Sequence, residues 1–155
     1  MTALLTDSEV KTLALPFYSF DERYIQVNNY GLVEQKVLKP LFNDFYDEFM
    51  ANSATYTDIV ADVKKAVALL VAVRVVHDNG GSKTQNLGEL ENFTGNSRTA
   101  SVDRRSGKAD SLYLDAIEIL KSVGETMIDD PDTYPNFDIE KAFLSIDLYN
   151  TLGLV

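Results

Sequence analysis

With one histidine, His77, and no cysteine, this chain of 155 residues has few ways to do chemistry. A Ser-His-Asp site would pair His77 with its neighbour Asp78, but no serine stands in a G-x-S-x-G elbow. His77 ends an apolar run, where its protonated form suits the negative end of a helix dipole, and a capping or surface role is expected. Close carboxylates bind hard cations or share acid–base work. Asp44, Asp47 and Glu48 fall on one expected helical face, and Asp58 and Asp62 on another. A di-metal site in a helix bundle needs Glu-x-x-His on two helices, which a single histidine cannot supply, so solvated acidic faces are expected. Asp129, Asp130 and Asp132 around Pro131 lack the glycine and closing glutamate of a calcium loop and read as a turn. Gly80-Gly81-Ser82-Lys83 follows a helical run, whereas a phosphate-cradling loop precedes one. The expectation is a protein that is not an enzyme, with no catalytic, metal-ligating or cofactor-binding residues and no cofactor.

The remaining chemistry is charge. Residues 82–109 hold five basic side chains (Lys83, Arg98, Arg104, Arg105 and Lys108) against three acidic ones, a net +2. The whole chain is −10, which leaves the other 127 residues at −12. Long stretches without regular structure are usually lids, binding loops or linkers. A positive polar arm on an acidic body is therefore either a solvated loop or a contact for a partner.

The elements that would carry this arm are helical. Thr6-Asp7-Ser8-Glu9 has the form of a capping box and opens a short helix that fades before Leu15-Pro16. Ser19-Phe20-Asp21-Glu22 repeats the signal ahead of a second helix with Ile25, Leu32, Val33 and Val37 at helical spacing. Gly31 weakens that helix by ~1 kcal/mol, which suggests a close packing contact there. Pro40 either kinks it or opens the next helix, whose apolar face is Leu41, Phe42, Phe45, Phe49 and Met50. Tyr24, Tyr30 and Tyr46 join these aromatics as expected core. The strongest element runs from Tyr56 or Thr57 to His77. It is apolar nearly all round beyond Ala66, so other helices or a neighbouring subunit must bury it. A further helix, capped by Asp110 or Ser111, carries Leu112, Ala116, Ile119, Leu120 and Val123. A turn-rich break over residues 129–135 precedes a short amphipathic stretch with Phe143, Ile146 and Tyr149, and an apolar tail of Leu152, Leu154 and Val155.

Together these predict one all-α domain over residues 1–155, a bundle of about four to five helices. A long polar arm, 82–109, is inserted between the two long central helices, and residues 136–155 form a C-terminal docking segment. Phe143, Leu152, Leu154 and Val155 join the basic residues of the arm as candidate partner contacts, since an apolar tail needs a groove. With 45% apolar and 25% charged residues the composition is that of an ordinary soluble globular protein. No apolar run approaches the ~20 residues needed to span a membrane, and the first ten residues lack the pattern of a secretory signal. The absence of cysteine excludes disulfides and thiolate metal sites. A pI near 4.4 argues against a general nucleic-acid binder, because phosphate neutralisation needs clustered Lys and Arg.

The order of these pieces resembles the all-helical head–tail connector proteins of tailed bacteriophages, also called adaptor, neck or head-completion proteins. LLTDSEVKTL is similar to the family's short first helix. FDERYIQVNNYGLVEQKVLKPLFNDFYDEFM is similar to its second, with a Leu-x-Pro-Leu stretch near its end. The Val/Ala-rich TDIVADVKKAVALLVAVRVVH follows in its expected place, then the polar arm and another helix. The resemblance covers residues 4–123 and rests on apolar spacing and segment order. It implies a structural virion protein at the head–tail junction, made in the host bacterial cytoplasm. Its subunits would form a ring, usually dodecameric, between portal and tail, with the portal and the tail or neck proteins as partners. It also implies transient, non-specific passage of double-stranded DNA through the ring, no membrane, and an arm that orders on assembly. From the residues alone, a monomeric soluble helical module that uses 82–109 to bind a protein partner is the alternative.

Overall fold

A computed structural model describes residues 4–15, 27–78, 90–93, 96–99 and 102–138. The fold is all-α, with one small hairpin. Helix α1 (Asp7–Ala14) begins at the capping box the sequence announces: the Thr6 hydroxyl accepts from the Glu9 amide, and the Glu9 carboxylate accepts from the Thr6 amide at 2.8 Å. The expected cap around residues 19–22, and Tyr24 and Ile25 after it, lie outside the described residues.

The next helical column has an irregular course, and Pro40 is the reason. Helix α2 (Val27–Val33) widens into a π-helical turn (Glu34–Leu38) in which the Lys39 amide reaches back to the Glu34 carbonyl. Helix α3 (Lys39–Phe42) follows without a break in right-handed backbone, with Pro40 in its first turn. Proline has no amide to donate and crowds the carbonyl four residues back, and a wider turn relieves both problems. Pro40 thus sits in a continuing, distorted helix, between the two expected outcomes. At Asn43 the backbone turns sharply (φ 47°, ψ −121°). A 3-10 turn (Asn43–Phe45), helix α4 (Tyr46–Asn52) and a second 3-10 turn (Ser53–Thr55) complete the column. Gly31 makes no close packing contact: a Cβ there would meet open space.

Helix α5 (Val60–Asp78) is the axis of the molecule, packed by α1, α2 and, most extensively, α6 (Val102–Asp129). Every residue from 66 to 73 is buried, none more than 5% exposed. The helix that is apolar nearly all round is therefore enclosed by its own chain, and no neighbouring subunit is required to cover it.

Two corrections concern the arm. Residues 102–109 are helical, so α6 starts about two turns before the expected cap at Asp110 or Ser111. Gly107 and Ser106 lower local helix propensity, but Ala109, 1% exposed, and a partly buried Lys108 pack this turn, and packing outweighs propensity. Upstream, strands β1 (Leu90–Phe93) and β2 (Asn96–Thr99) form an antiparallel hairpin, with two residues separating the paired Phe93 and Asn96. The expected irregular arm of 82–109 is thus part hairpin and part helix.

The core is built from aromatic side chains. Phe42 and Phe49 meet edge-on at 4.9 Å, Phe45 and Tyr56 at 4.9 Å, and Phe45 and Tyr134 at 5.6 Å. Such pairs add about 0.5–1.5 kcal/mol each beyond their burial. Tyr30 and Tyr46 are buried as expected. Tyr134, in the turn region after α6, is 1% exposed and is a core residue that helical spacing does not find.

Candidate assembly surface

The hairpin and the first turns of α6 gather most of the basic residues singled out by sequence. Arg98 lies on β2, directly opposite Glu91 in the strand register. Arg104 and Arg105 lie in the opening turns of α6 and Lys108 one turn further on. A helix N-terminus carries partial positive charge, so cations there oppose the dipole. Their position costs a little stability and must be explained by something other than the helix. Burial pushes the Lys108 ammonium below the usual lysine range. Among the described residues the strands pair with each other and make no extensive contact with a helix. Lys83, Phe143, Leu152, Leu154 and Val155 lie outside the described residues, as does the amphipathic stretch of which Phe143 is part.

The carboxylates considered for acid–base or cation chemistry have structural partners. Asp58 lies in the turn before α5, not on the helix face with Asp62, and accepts the Tyr134 hydroxyl at 2.5 Å. Glu48 accepts the Tyr56 hydroxyl at 2.7 Å and the Asn136 amide at 2.9 Å. The Tyr56 hydroxyl, with help from Asn136, holds the Glu48 carboxyl below the usual carboxylate range. The same bond, with burial, pushes the Tyr56 phenol up to about 12. Burial first, and then the bond to Asp58, raises the Tyr134 phenol. These bonds pin residues 134–136 against α4 and the start of α5. Among the described residues no three His, Asp or Glu side chains come together as a cation site.

A second tie closes the other end of the bundle. Glu34, in the π-helical turn, is 6% exposed and accepts the Leu4 amide at 3.0 Å. Tyr30 donates to Asp7 at 2.8 Å. Lys64 on α5 bonds Glu9 on α1 at 3.0 Å. The Thr6 amide and then Lys64 hold the Glu9 carboxyl below its ordinary value. Beside this ion pair runs an open groove of about 320 Å³, lined by Ser8, Glu9, Thr12, Leu13, Ala61 and Lys64. Only spatial proximity of α1 and α5 creates it, and no spacing in either segment foretells it.

His77 lies in the last turn of α5, as expected. No described helix is long and apolar enough to cross a membrane. Compared with known proteins, the chain matches no family model, no curated protein and no solved structure.

Proposed function

We propose that this protein is a structural subunit of a tailed-phage head–tail connector, a ring between portal and tail through which DNA passes. The observation that carries the reading is a basic hairpin-and-helix segment inserted between the two longest helices of an otherwise acidic bundle. The bundle supplies a prefolded unit, because α5 is enclosed by its own chain. The basic segment supplies a surface for an acidic neighbour, and opposite charges fix register and speed encounter. An acidic body disfavours bound states along a DNA channel, so the polymer slides without sticking. The order of elements, short helix, bent helix, Val/Ala-rich helix, polar insertion, long helix, supports the same reading.

Charge reversal tests it. Arg98→Glu, Arg104→Glu and Arg105→Glu together leave the unfolding midpoint nearly unchanged, since surface substitutions usually fall within about ±0.5 kcal/mol. The two helical changes even favour the dipole. Ring formation on portals, seen by negative-stain microscopy, is expected to fail. A triple variant that assembles normally reduces the segment to a connector between helices. A wild-type protein that never co-sediments with portals sinks the whole reading.

Enclosure of α5 within one chain also suits the second reading, a monomeric module that uses the hairpin segment to bind one protein partner. That module stays monomeric with portals present and elutes with its partner as a defined complex.

A further inference from the structure

Among the described residues three large apolar side chains are exposed: Leu13 at 37%, Leu114 at 64% and Ile128 at 45%. Leu13 lines the α1–α5 groove. The other two lie on α6, fourteen positions apart. Fourteen residues make nearly four helical turns, so both stand on one side of α6, about 21 Å apart along its axis. Between them, on the same side, are the exposed Glu118, Lys121 and Glu125. From Asp110 to its end α6 exposes five carboxylates (Asp110, Asp115, Glu118, Glu125 and Asp129) against the single ammonium of Lys121. The groove side has the opposite bias. Lys64 lines it, Lys65 is exposed one turn beyond Ala61, and Lys11 lies one turn beyond Ser8 on α1.

We propose that the acidic outer face of α6, with Leu114 and Ile128, seats in the α1–α5 groove of a second copy of this chain. Both halves of the complement are present on one molecule: an apolar ridge flanked by carboxylates, and an apolar groove flanked by lysines. Lys64 is held by Glu9, which keeps its ammonium at the rim of the groove. Ridge and groove are different surfaces, so the contact is heterologous, and each copy that accepts a ridge still offers its own. Repetition of such a contact generates a ring when the rotation closes and a filament when it does not. The contact rests on the connector reading and names the joint between neighbouring subunits in that ring.

The absence of cysteine makes crosslinking decisive. Leu13→Cys and Leu114→Cys versions of the 155-residue chain are prepared separately, mixed with portals, and treated with a short bis-maleimide. A crosslinked dimer is expected in the mixture and absent from either variant alone. Self-crosslinking of Leu114→Cys alone would mean a two-fold contact between α6 helices and would overturn the proposal. Crosslinking of Leu13→Cys to Val155→Cys in place of Leu114→Cys would assign the groove to the C-terminal tail, and overturn it equally. Rings on portals without the Leu13–Leu114 crosslink sink this contact and leave the connector reading standing. Monomers that neither crosslink nor bind portals sink both. A charge exchange gives the second measurement. Lys64→Glu with Lys65→Glu abolishes the crosslink, and Glu118→Lys with Glu125→Lys on the ridge copy restores it.

Discussion

Three tyrosine hydroxyls end on carboxylates: Tyr30 on Asp7, Tyr56 on Glu48 and Tyr134 on Asp58. Each bond favours the neutral phenol and, for Glu48, the charged carboxylate, so each ties folding to pH. A phenol raised above its ordinary value of 10.0 contributes stability that is complete below that value and lost as pH rises through the folded value. Glu9 and Glu48 are lowered from 4.5, so their contribution is present above that value and lost as pH falls through the folded one. Thermal unfolding followed by circular dichroism should therefore show a plateau between these limits, with a fall on each side. Tyr134→Phe should lower stability by about 1 kcal/mol at neutral pH and blunt the alkaline fall, because one phenol no longer ionises preferentially in the unfolded chain. An alkaline limb identical to that of the wild type would mean that Tyr134 ionises equally in both states.

At the scale of the elements, the bent column over residues 27–52 concentrates the strain. Asn43 combines a positive φ with a buried side-chain nitrogen that has no hydrogen-bond partner. Such backbone costs on the order of 1–3 kcal/mol in a residue with a Cβ. Asn43→Gly relieves the strain and removes the orphaned amide, and should raise stability by about 1 kcal/mol even after the entropy of a glycine. Asn43→Ala keeps the strain and should gain less, as urea midpoints would show. The sequence reveals its elements unevenly. Thr6 and Glu9 stand at the spacing of a capping box, and the apolar run of α5 has no other reading, so both are legible. The hairpin is not, because of its eight paired residues only Leu90 and Phe93 are apolar and no alternation marks a buried face. The weak signal available was Gly95 within a two-residue interval, as in tight hairpins. The start of α6 is hidden by Gly107, and Glu34 and Tyr134 by long-range partners, Leu4 and Asp58, that no local spacing brings together.

On the scale of the molecule, enclosure of α5 decides how the subunit behaves alone. A helix that a neighbour must cover makes folding depend on protein concentration, since binding stabilises by mass action. Here the chain covers its own axis, so the unfolding temperature of the isolated protein should not change with dilution. A midpoint that climbs with concentration would show that assembly and folding are coupled. Of the candidate surface, sequence gives the sign of the arm's charge and the members Arg98, Arg104, Arg105 and Lys108. It gives neither the hairpin that carries Arg98 nor the groove, because both depend on how distant segments meet.

The lengthwise packing of α5 against α6 has one more consequence, and it concerns variation. The two helices hold each other through side chains along their shared faces, so the segment joining them is not what keeps them together. Closing a longer loop costs little, about 0.6 kcal/mol for each doubling of its length. Insertions, deletions and new turns between these helices can therefore accumulate at almost no expense to the bundle. The part of the molecule best placed to meet a partner is also the part most free to be redrawn when the partner changes.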